Sequence, residues 1–174
     1  MVYRINIFFI LLFLYINTTT YCVSIDHSTN TDFSYITVEA GNLAYTSYPY
    51  QNGFYGLQYG LIKQNNLCFS FSLGLGINKN NTGLMFRTIP IDFDIYKIMS
   101  LTKRLNAYYG VGLGITTIET SINQSNTNFH WLFGIRYRLS SIYIFTVEYK
   151  KYYLYFNSTN FDSNLLKFGV SINI

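Results

Sequence analysis

The chain has 174 residues, 49% of them apolar and 20% aromatic, with only 11% charged and a formal net charge of +4. Such a length suits one domain, and so few charges exclude an ordinary soluble surface, where about a quarter of residues would be charged. Mean hydropathy is only +0.15, and beyond the N-terminus no apolar run approaches the ~18 residues of a membrane helix. The mild basic balance is spread along the chain and is not the stripe of a nucleic-acid binder, so no nucleic-acid partner is expected.

Residues 1–24 have the layout of a secretory signal peptide: Arg4, an apolar stretch from Ile5 to Ile16, then a polar segment. Cleavage is expected near 22–24, after Cys22 or after Ser24. A lipoprotein acylated on Cys22 would need a small residue where Tyr21 stands, and a retained helical anchor would need a longer apolar stretch. Removal of the segment takes away Arg4 and no acid. Cys68 is then the one cysteine sure to remain, so neither a disulfide framework nor a Cys/His metal site is expected, and no cofactor.

A polar lead over 25–33 contains Asp26, His27 and Asp32, after which side-chain character alternates with period two to the end of the chain. Residues 34–45 set Ile36, Val38 and Ala40 against Thr37, Glu39 and Gly41. Residues 53–63 set Tyr55, Leu57, Tyr59 and Leu61 against Gly56, Gln58 and Gly60. The third segment is the cleanest, with Leu67, Phe69, Phe71, Leu73, Leu75 and Ile77 opposite Cys68, Ser70, Ser72, Gly74, Gly76 and Asn78. Over 84–97, Ile89, Ile91, Phe93 and Ile95 oppose Thr88, Pro90, Asp92 and Asp94. Pro90 has no N–H for a ladder bond, so a bulge or a broken pairing is expected there.

The fifth segment sets Ala107, Tyr109, Val111, Leu113 and Ile115 against Tyr108, Gly110, Gly112, Gly114 and Thr116. The sixth sets Phe129, Trp131, Phe133, Ile135, Tyr137 and Leu139 against His130, Leu132, Gly134, Arg136 and Arg138. Tyr143, Phe145, Val147 and Tyr149 then oppose Thr146, Glu148 and Lys150, and Leu166, Phe168, Val170, Ile172 and Ile174 oppose Lys167, Gly169, Ser171 and Asn173. Polar breaks separate the eight segments, the wider ones at 46–52, 78–82, 119–127 and 157–163.

The face opposite the large apolar side chains is rich in Gly, Ser and Thr. Small side chains suit the crowded interior of an eight-stranded barrel, whereas only lipid limits the size of the outward ones. In hydrocarbon every backbone N–H and C=O must be paired, so strands cross a membrane only as a closed barrel. About ten residues per tilted strand cover the ~25 Å apolar band of an outer membrane. The expected fold is all-β, an eight-stranded antiparallel transmembrane β-barrel of up-and-down meander order over 34–174, following a cleaved signal peptide. A soluble barrel with its aromatic face inside stays open on alternation alone.

By the same parity the lumen receives Glu39, Asp92, Asp94 and Glu148 together with Arg136, Arg138, Lys150 and Lys167. Unpaired charges in so narrow a space carry a large desolvation cost, so a network of matched ion pairs closing the lumen is expected. Arg87 and Lys151 have the outward parity near the outer strand ends, where they would contact lipopolysaccharide phosphates or snorkel into the headgroup layer. Tyr45, Tyr55, Trp131, Tyr153 and Tyr155 are read as an outer aromatic girdle, and Tyr96, Tyr137 and Tyr143 as the periplasmic one. Asn-x-Ser/Thr sites at Asn80, Asn123 and Asn157 are read as chance in an Asn-rich chain.

The stretches Ile89–Pro90, YYGVGLG over Tyr108–Gly114, Gly134–Leu139 and Glu148–Lys150 resemble the OmpA-like and OmpX-like, porin-family small outer-membrane barrels across about residues 34–174. The C-terminal KFGVSINI resembles their assembly signal through Lys167, Gly169, Ile172 and Ile174, although family members commonly end in Phe. The resemblance implies a bacterial outer-membrane location, a periplasmic N-terminus, and surface loops at the four wider breaks. Expected partners are outer-membrane lipid and lipopolysaccharide, the outer-membrane assembly machinery and host surface molecules, with the barrel a monomer.

Some small barrels act on lipid A, which brings His130, Ser140, Ser141 and Glu148 under scrutiny. The deacylase type would need a serine two residues after its histidine on the lipid-exposed side. Position 132 is Leu, His130 has the inward parity of a lumen residue near the rim, and Ser140 and Ser141 fall in a turn at the other membrane face. The expected function is therefore non-enzymatic: a structural, surface-antigen or host-contact barrel with a closed lumen. A small diffusion pore for ions or solutes is the alternative, and a lipid-modifying enzyme the third.

Overall fold

The computed structural model describes residues 32–45, 51–79, 85–119, 124–156 and 159–174, with side chains placed except at 51–52 and 154–161. The expected signal peptide, its cleavage site and residues 25–31 of the lead lie outside the described residues. So do the loop residues 46–50, 80–84, 120–123 and 157–158, with Asn80, Asn123 and Asn157, and the side chain of Tyr155.

Eight strands follow one another: β1 Phe33–Tyr45, β2 Gln51–Ile62, β3 Leu67–Lys79, β4 Met85–Ser100, β5 Leu105–Glu119, β6 Gln124–Arg138, β7 Tyr143–Phe156 and β8 Thr159–Asn173. They form a closed barrel in meander order, and β1 completes the ring by pairing antiparallel with β8, from Tyr35↔Asn173 to Tyr45↔Ser163. The all-β transmembrane-barrel architecture expected from the alternation is the one observed.

Several strands run further than the alternation alone indicated. Residues 51–52, 78–79, 124–127 and 159–163, read as loop from their polarity, belong to strands. Above an apolar band the ladder no longer needs apolar side chains on its outer face, and polar cross-strand pairs continue it. Thr117 and Ser125 face each other in register and their hydroxyls lie 2.9 Å apart.

Exposure alternates with the same period two. Val38, Leu57, Phe71, Phe93, Leu113, Phe133, Phe145 and Phe168 are exposed, Val38 and Leu113 at 64%. Their chain neighbours Thr37, Gln58, Ser72, Asp94 and Thr146 are buried. A contiguous apolar exterior of this extent is far larger than a water-soluble monomer tolerates, and it encircles the ring. Lipid is the solvent that fits it.

Pro90 breaks pairing without inserting a bulge. On its β3 side the ladder pairs Leu73↔Ile91 and resumes at Gly76↔Thr88 in unchanged register, while on the β5 side Pro90↔Thr116 is kept. The missing N–H thus interrupts one edge of β4 only. The three described turns all lie at one end of the barrel, the turn end. Between β2 and β3, Asn66 takes the left-handed conformation (φ 60°) and its N–H donates to the Lys63 carbonyl at 2.9 Å. Between β4 and β5, the Thr102 hydroxyl accepts from the Arg104 and Leu105 N–H groups. Between β6 and β7, Ser140 accepts from Ile142 and Tyr143 at 3.2 and 3.1 Å. Ser140 caps a turn in this structure.

Candidate functional site

The barrel interior is layered. At the turn end Tyr35, Ile62, Cys68, Tyr96, Ile98, Tyr108 and Leu132 pack into one buried apolar cluster. Toward the loop end Leu43, Tyr45, Phe54, Tyr152 and Leu165 form a second. Glu39, Asp92, Asp94, Glu148, Lys150 and Lys167 lie between these two clusters, and the Arg136 guanidinium lies within the first. Alternation had marked this face as small and polar; the plugs were missed because their large residues stand on inward positions near strand ends.

Placement of two tyrosines differs from the girdle reading for the same reason. Tyr45 has the parity of Glu39 and Tyr96 that of Asp94, so both point inward, and their relative exposures are 8% and 1%. Tyr45 hydrogen-bonds Thr88 across the bore at 2.7 Å. Tyr55, Tyr137 and Tyr143 are exposed on the exterior. Trp131 and Tyr153 are half-buried there, joined by an indole N–H to hydroxyl bond of 3.2 Å.

Seven of the eight expected lumen charges are buried: Glu39, Asp92, Asp94, Arg136, Glu148, Lys150 and Lys167. Lys167 on β8 bridges two carboxylates, with Nζ 2.8 Å from Glu39 Oε1 and 2.8 Å from Glu148 Oε1. Lys150 on β7 donates to Asp94 at 2.8 Å and Asp92 at 3.2 Å. Neutral donors reach three of these carboxylates as well. Tyr108 donates to Glu148 at 2.8 Å, Tyr152 to Asp92 at 2.6 Å, and Ser70 to Asp94 at 3.3 Å. Satisfaction of this kind is what lets ionised groups persist in a low-dielectric space.

The eighth, Arg138, departs from its expected role. It is half-buried at the turn-end mouth and makes no ion pair with the described residues. It lies one turn of alternation beyond Arg136, past the apolar plug, where water can solvate it. His130 stands in its place within the network. Expected near the rim, His130 is instead 0% exposed at mid-barrel, because β6 continues well past it toward the loop end.

His130 Nε2 lies 2.5 Å from Asp94 Oδ1, and Nδ1 lies 2.8 Å from Asn128 Oδ1. The Asn128 amide is oriented by its nitrogen, which donates to Thr116 at 2.9 Å and Asp92 at 3.4 Å. Both ring nitrogens therefore face side-chain oxygens, and the imidazole ties β6 to Asp94 on β4.

Arg136 has no carboxylate partner among the described residues. Its guanidinium lies 4.6, 5.1 and 4.8 Å from the ring centroids of Tyr35, Tyr96 and Tyr108. It donates to the Tyr35 hydroxyl at 2.8 Å and to that of Tyr96, while Tyr35 also contacts the Cys68 thiol at 3.6 Å. Three ring faces and two phenol oxygens take the part of the expected ion pair.

Arg87 and Lys151, the outward cations expected near the loop end, are each accompanied by an acid. Arg87 is 3.9 Å from Glu119, beside a shallow groove of about 330 Å³ lined by Ile77, Met85, Phe86, Arg87 and Glu119. Lys151 is 3.2 Å from Asp162 and 5.8 Å from the Tyr153 ring centroid. In β8, Lys167 and Gly169 face the interior while Ile172, and Ile174 just after the strand, are exposed outside. Ser140 and Ser141 lie exposed in the β6–β7 turn, beyond the plug that separates them from His130.

No known protein-family model matches the sequence, and no curated protein matches it. Solved structures do. A neisserial surface protein, NspA, superposes with a TM-score of 0.67 at 15% identity, over 81% of this chain and 96% of that one. The N-terminal β-barrel domain of Pseudomonas aeruginosa OprF gives 0.55 at 15% identity over 83% and 100%. The attachment invasion locus protein Ail of Yersinia pestis, in complex with the heparin analogue sucrose octasulfate, gives 0.54 at 10% identity over 82% and 97%. The chain thus has the fold of small eight-stranded outer-membrane β-barrels.

Proposed function

We propose that the protein is a monomeric, surface-facing barrel of the bacterial outer membrane, without catalytic activity, whose lumen is closed to ions and solutes. One observation supports the closed lumen: the buried charges are held in ion pairs, and a buried apolar cluster packs toward each end of the bore. A conduction path needs hydrated, loosely held charges, whereas Lys150 and His130 are 0% exposed and held by carboxylates. A host-contact role draws support from the shared fold with a surface protein and with an attachment protein bound to a heparin analogue.

In this reading Arg87 and Lys151 meet lipopolysaccharide phosphates from the exterior, with the groove beside Arg87 receiving part of an acyl chain. The β8 segment with Gly169, Ile172 and Ile174 is what the assembly machinery recognises before Lys167 becomes buried. Planar-bilayer conductance of the refolded, heat-modifiable protein tests the lumen. Silence is the expected result; reproducible steps that change with Glu148→Gln or Arg136→Met would replace the closed barrel with a pore. Antibody staining of intact cells tests the surface-facing role.

A further inference from the structure

Charge is distributed unevenly around the turn end. Lys63 in the β2–β3 turn, Lys97 near the end of β4, Lys103 and Arg104 in the β4–β5 turn, and Arg138 at the end of β6 form one arc. Backbone contacts make it contiguous. Ile98 N–H donates to the Asn66 carbonyl at 2.9 Å, Arg138 N–H to the Arg104 carbonyl at 2.8 Å, and the Lys97 ammonium reaches the Asn65 carbonyl.

Asp32 is the acid described at this end, and it engages Lys63 at 2.6 Å. That hydrogen bond holds the Asp32 carboxyl below its ordinary range. The other side of the same end carries uncharged side chains: Ser34 donates to the Ile174 carbonyl, Ser140 accepts from the Ile142 N–H, and Asn173 donates to the Ser141 carbonyl. Lys97, Lys103, Arg104 and Arg138 make no ion pair with the described residues.

Two further features say what faces the arc. Lys97 has the outward parity of Ile91, Phe93 and Ile95 and follows them directly, so it stands where the apolar band ends. Leu101, Leu139 and Ile142 in the adjacent turns are exposed, an arrangement that suits burial in a headgroup layer and not a fully aqueous surface.

We propose that this arc binds anionic phospholipid headgroups of the periplasmic leaflet, phosphatidylglycerol or cardiolipin, and so sets the barrel's tilt and depth from that side. Lys97 meets the phosphate at the edge of the hydrocarbon, Lys103 and Arg104 meet it from the turn, and Leu101 inserts beside them. A cation at an anionic membrane surface is worth about five-fold in partitioning, so three together favour anionic over zwitterionic lipid strongly. This rests on the outer-membrane reading of the barrel.

The experiment is native mass spectrometry of barrels refolded in mixed phosphatidylglycerol and phosphatidylcholine, with heat-dependent gel shift recorded for every sample. Wild type should retain phosphatidylglycerol preferentially, and K97Q/K103Q/R104Q should retain several-fold less. R87Q/K151Q, at the opposite membrane face, should lose less phosphatidylglycerol than the triple variant does. Equal retention by wild type and the triple variant, or a larger loss in the loop-end pair, would overturn the proposal. So would preference for a soluble anionic polymer such as heparin with no lipid preference. Absence of any gel shift in wild type would sink the barrel reading and this proposal together, and is told apart from the other outcomes by that band.

Discussion

Asp94 and His130 meet across a strand that belongs to neither of them. Asp94 on β4 and His130 on β6 are both in register with Gly112 on β5, and their 2.5 Å contact passes over it. Asp92 and Asn128 reach each other over Gly114 in the same way, and Tyr108 reaches Glu148 over Gly134. A Cβ on Gly112 would fall onto both polar side chains. Gly112→Ala should therefore destabilise the barrel by about 1–3 kcal/mol, the usual range for overpacking, through loss of the Asp94–His130 contact. Gly112→Trp should prevent folding, while Leu113→Trp, one residue on and facing lipid, should be tolerated. Urea titration of the gel-shifted form in lipid measures all three. Matching folding yields for Gly112→Trp and Leu113→Trp would reverse the assignment of inside and outside.

The glycine column shows where the sequence stopped being legible. Period-two alternation marks faces because lipid and lumen demand different side chains at successive positions, so Glu39, Asp94 and Lys150 could be placed inside from parity alone. Partners could not be named, since a contact over Gly112 depends on two registers at once. Residue type misled where it competed with parity, as it did for Tyr45 and Tyr96. The apolar plugs left a signal that went unread: Leu43, Ile62, Leu132 and Leu165 are large apolar residues on inward positions. Arg138 was misjudged because parity gives direction around the wall and says nothing about depth along the bore.

Lys167 holds two carboxylates, Glu39 and Glu148, inside a space from which water is excluded. Its replacement by Met leaves both acids without their principal counter-ion. Breaking a buried ion pair from one side destabilises by about 3–5 kcal/mol, and Lys167→Met should fall in that range. Adding Glu39→Gln and Glu148→Gln should recover much of the loss, because the uncompensated charge is gone. A triple variant no more stable than Lys167→Met would show that packing of the lysine stem, not charge, dominates.

Arg136 offers a contrast, because three tyrosine faces and two hydroxyls hold it without a carboxylate. Lysine keeps the charge but cannot lie flat against those rings or present two donors in a fork. Arg136→Lys should cost about 1–2 kcal/mol in unfolding free energy, the scale of a desolvated cation–π contact. Tyr108→Phe, which keeps the ring but removes the hydroxyl that donates to Glu148, should leave the cage intact and destabilise through Glu148. The two effects should add in the double variant if ring faces hold Arg136 and hydroxyls hold Glu148. Strong non-additivity in the chemical-unfolding midpoints would mean that the cage and the carboxylate network act as one unit.

Asn66 is the one described non-glycine residue with positive φ, at 60°, and the β2–β3 turn closes through its N–H to Lys63. Asparagine tolerates that region, and a β-branched side chain does not. Asn66→Gly should leave stability unchanged within a few tenths of a kcal/mol, about the scale of ordinary turn substitutions. Asn66→Val should cost about 1–2 kcal/mol. The same turn carries Lys63 and ties Asn66 to Ile98 on β4, so its distortion should also disturb the cation arc. Asn66→Val should then lower phosphatidylglycerol retention, whereas Asn66→Gly should not. If the valine variant loses stability while keeping its lipid, the arc is held by the strands and not by the turn.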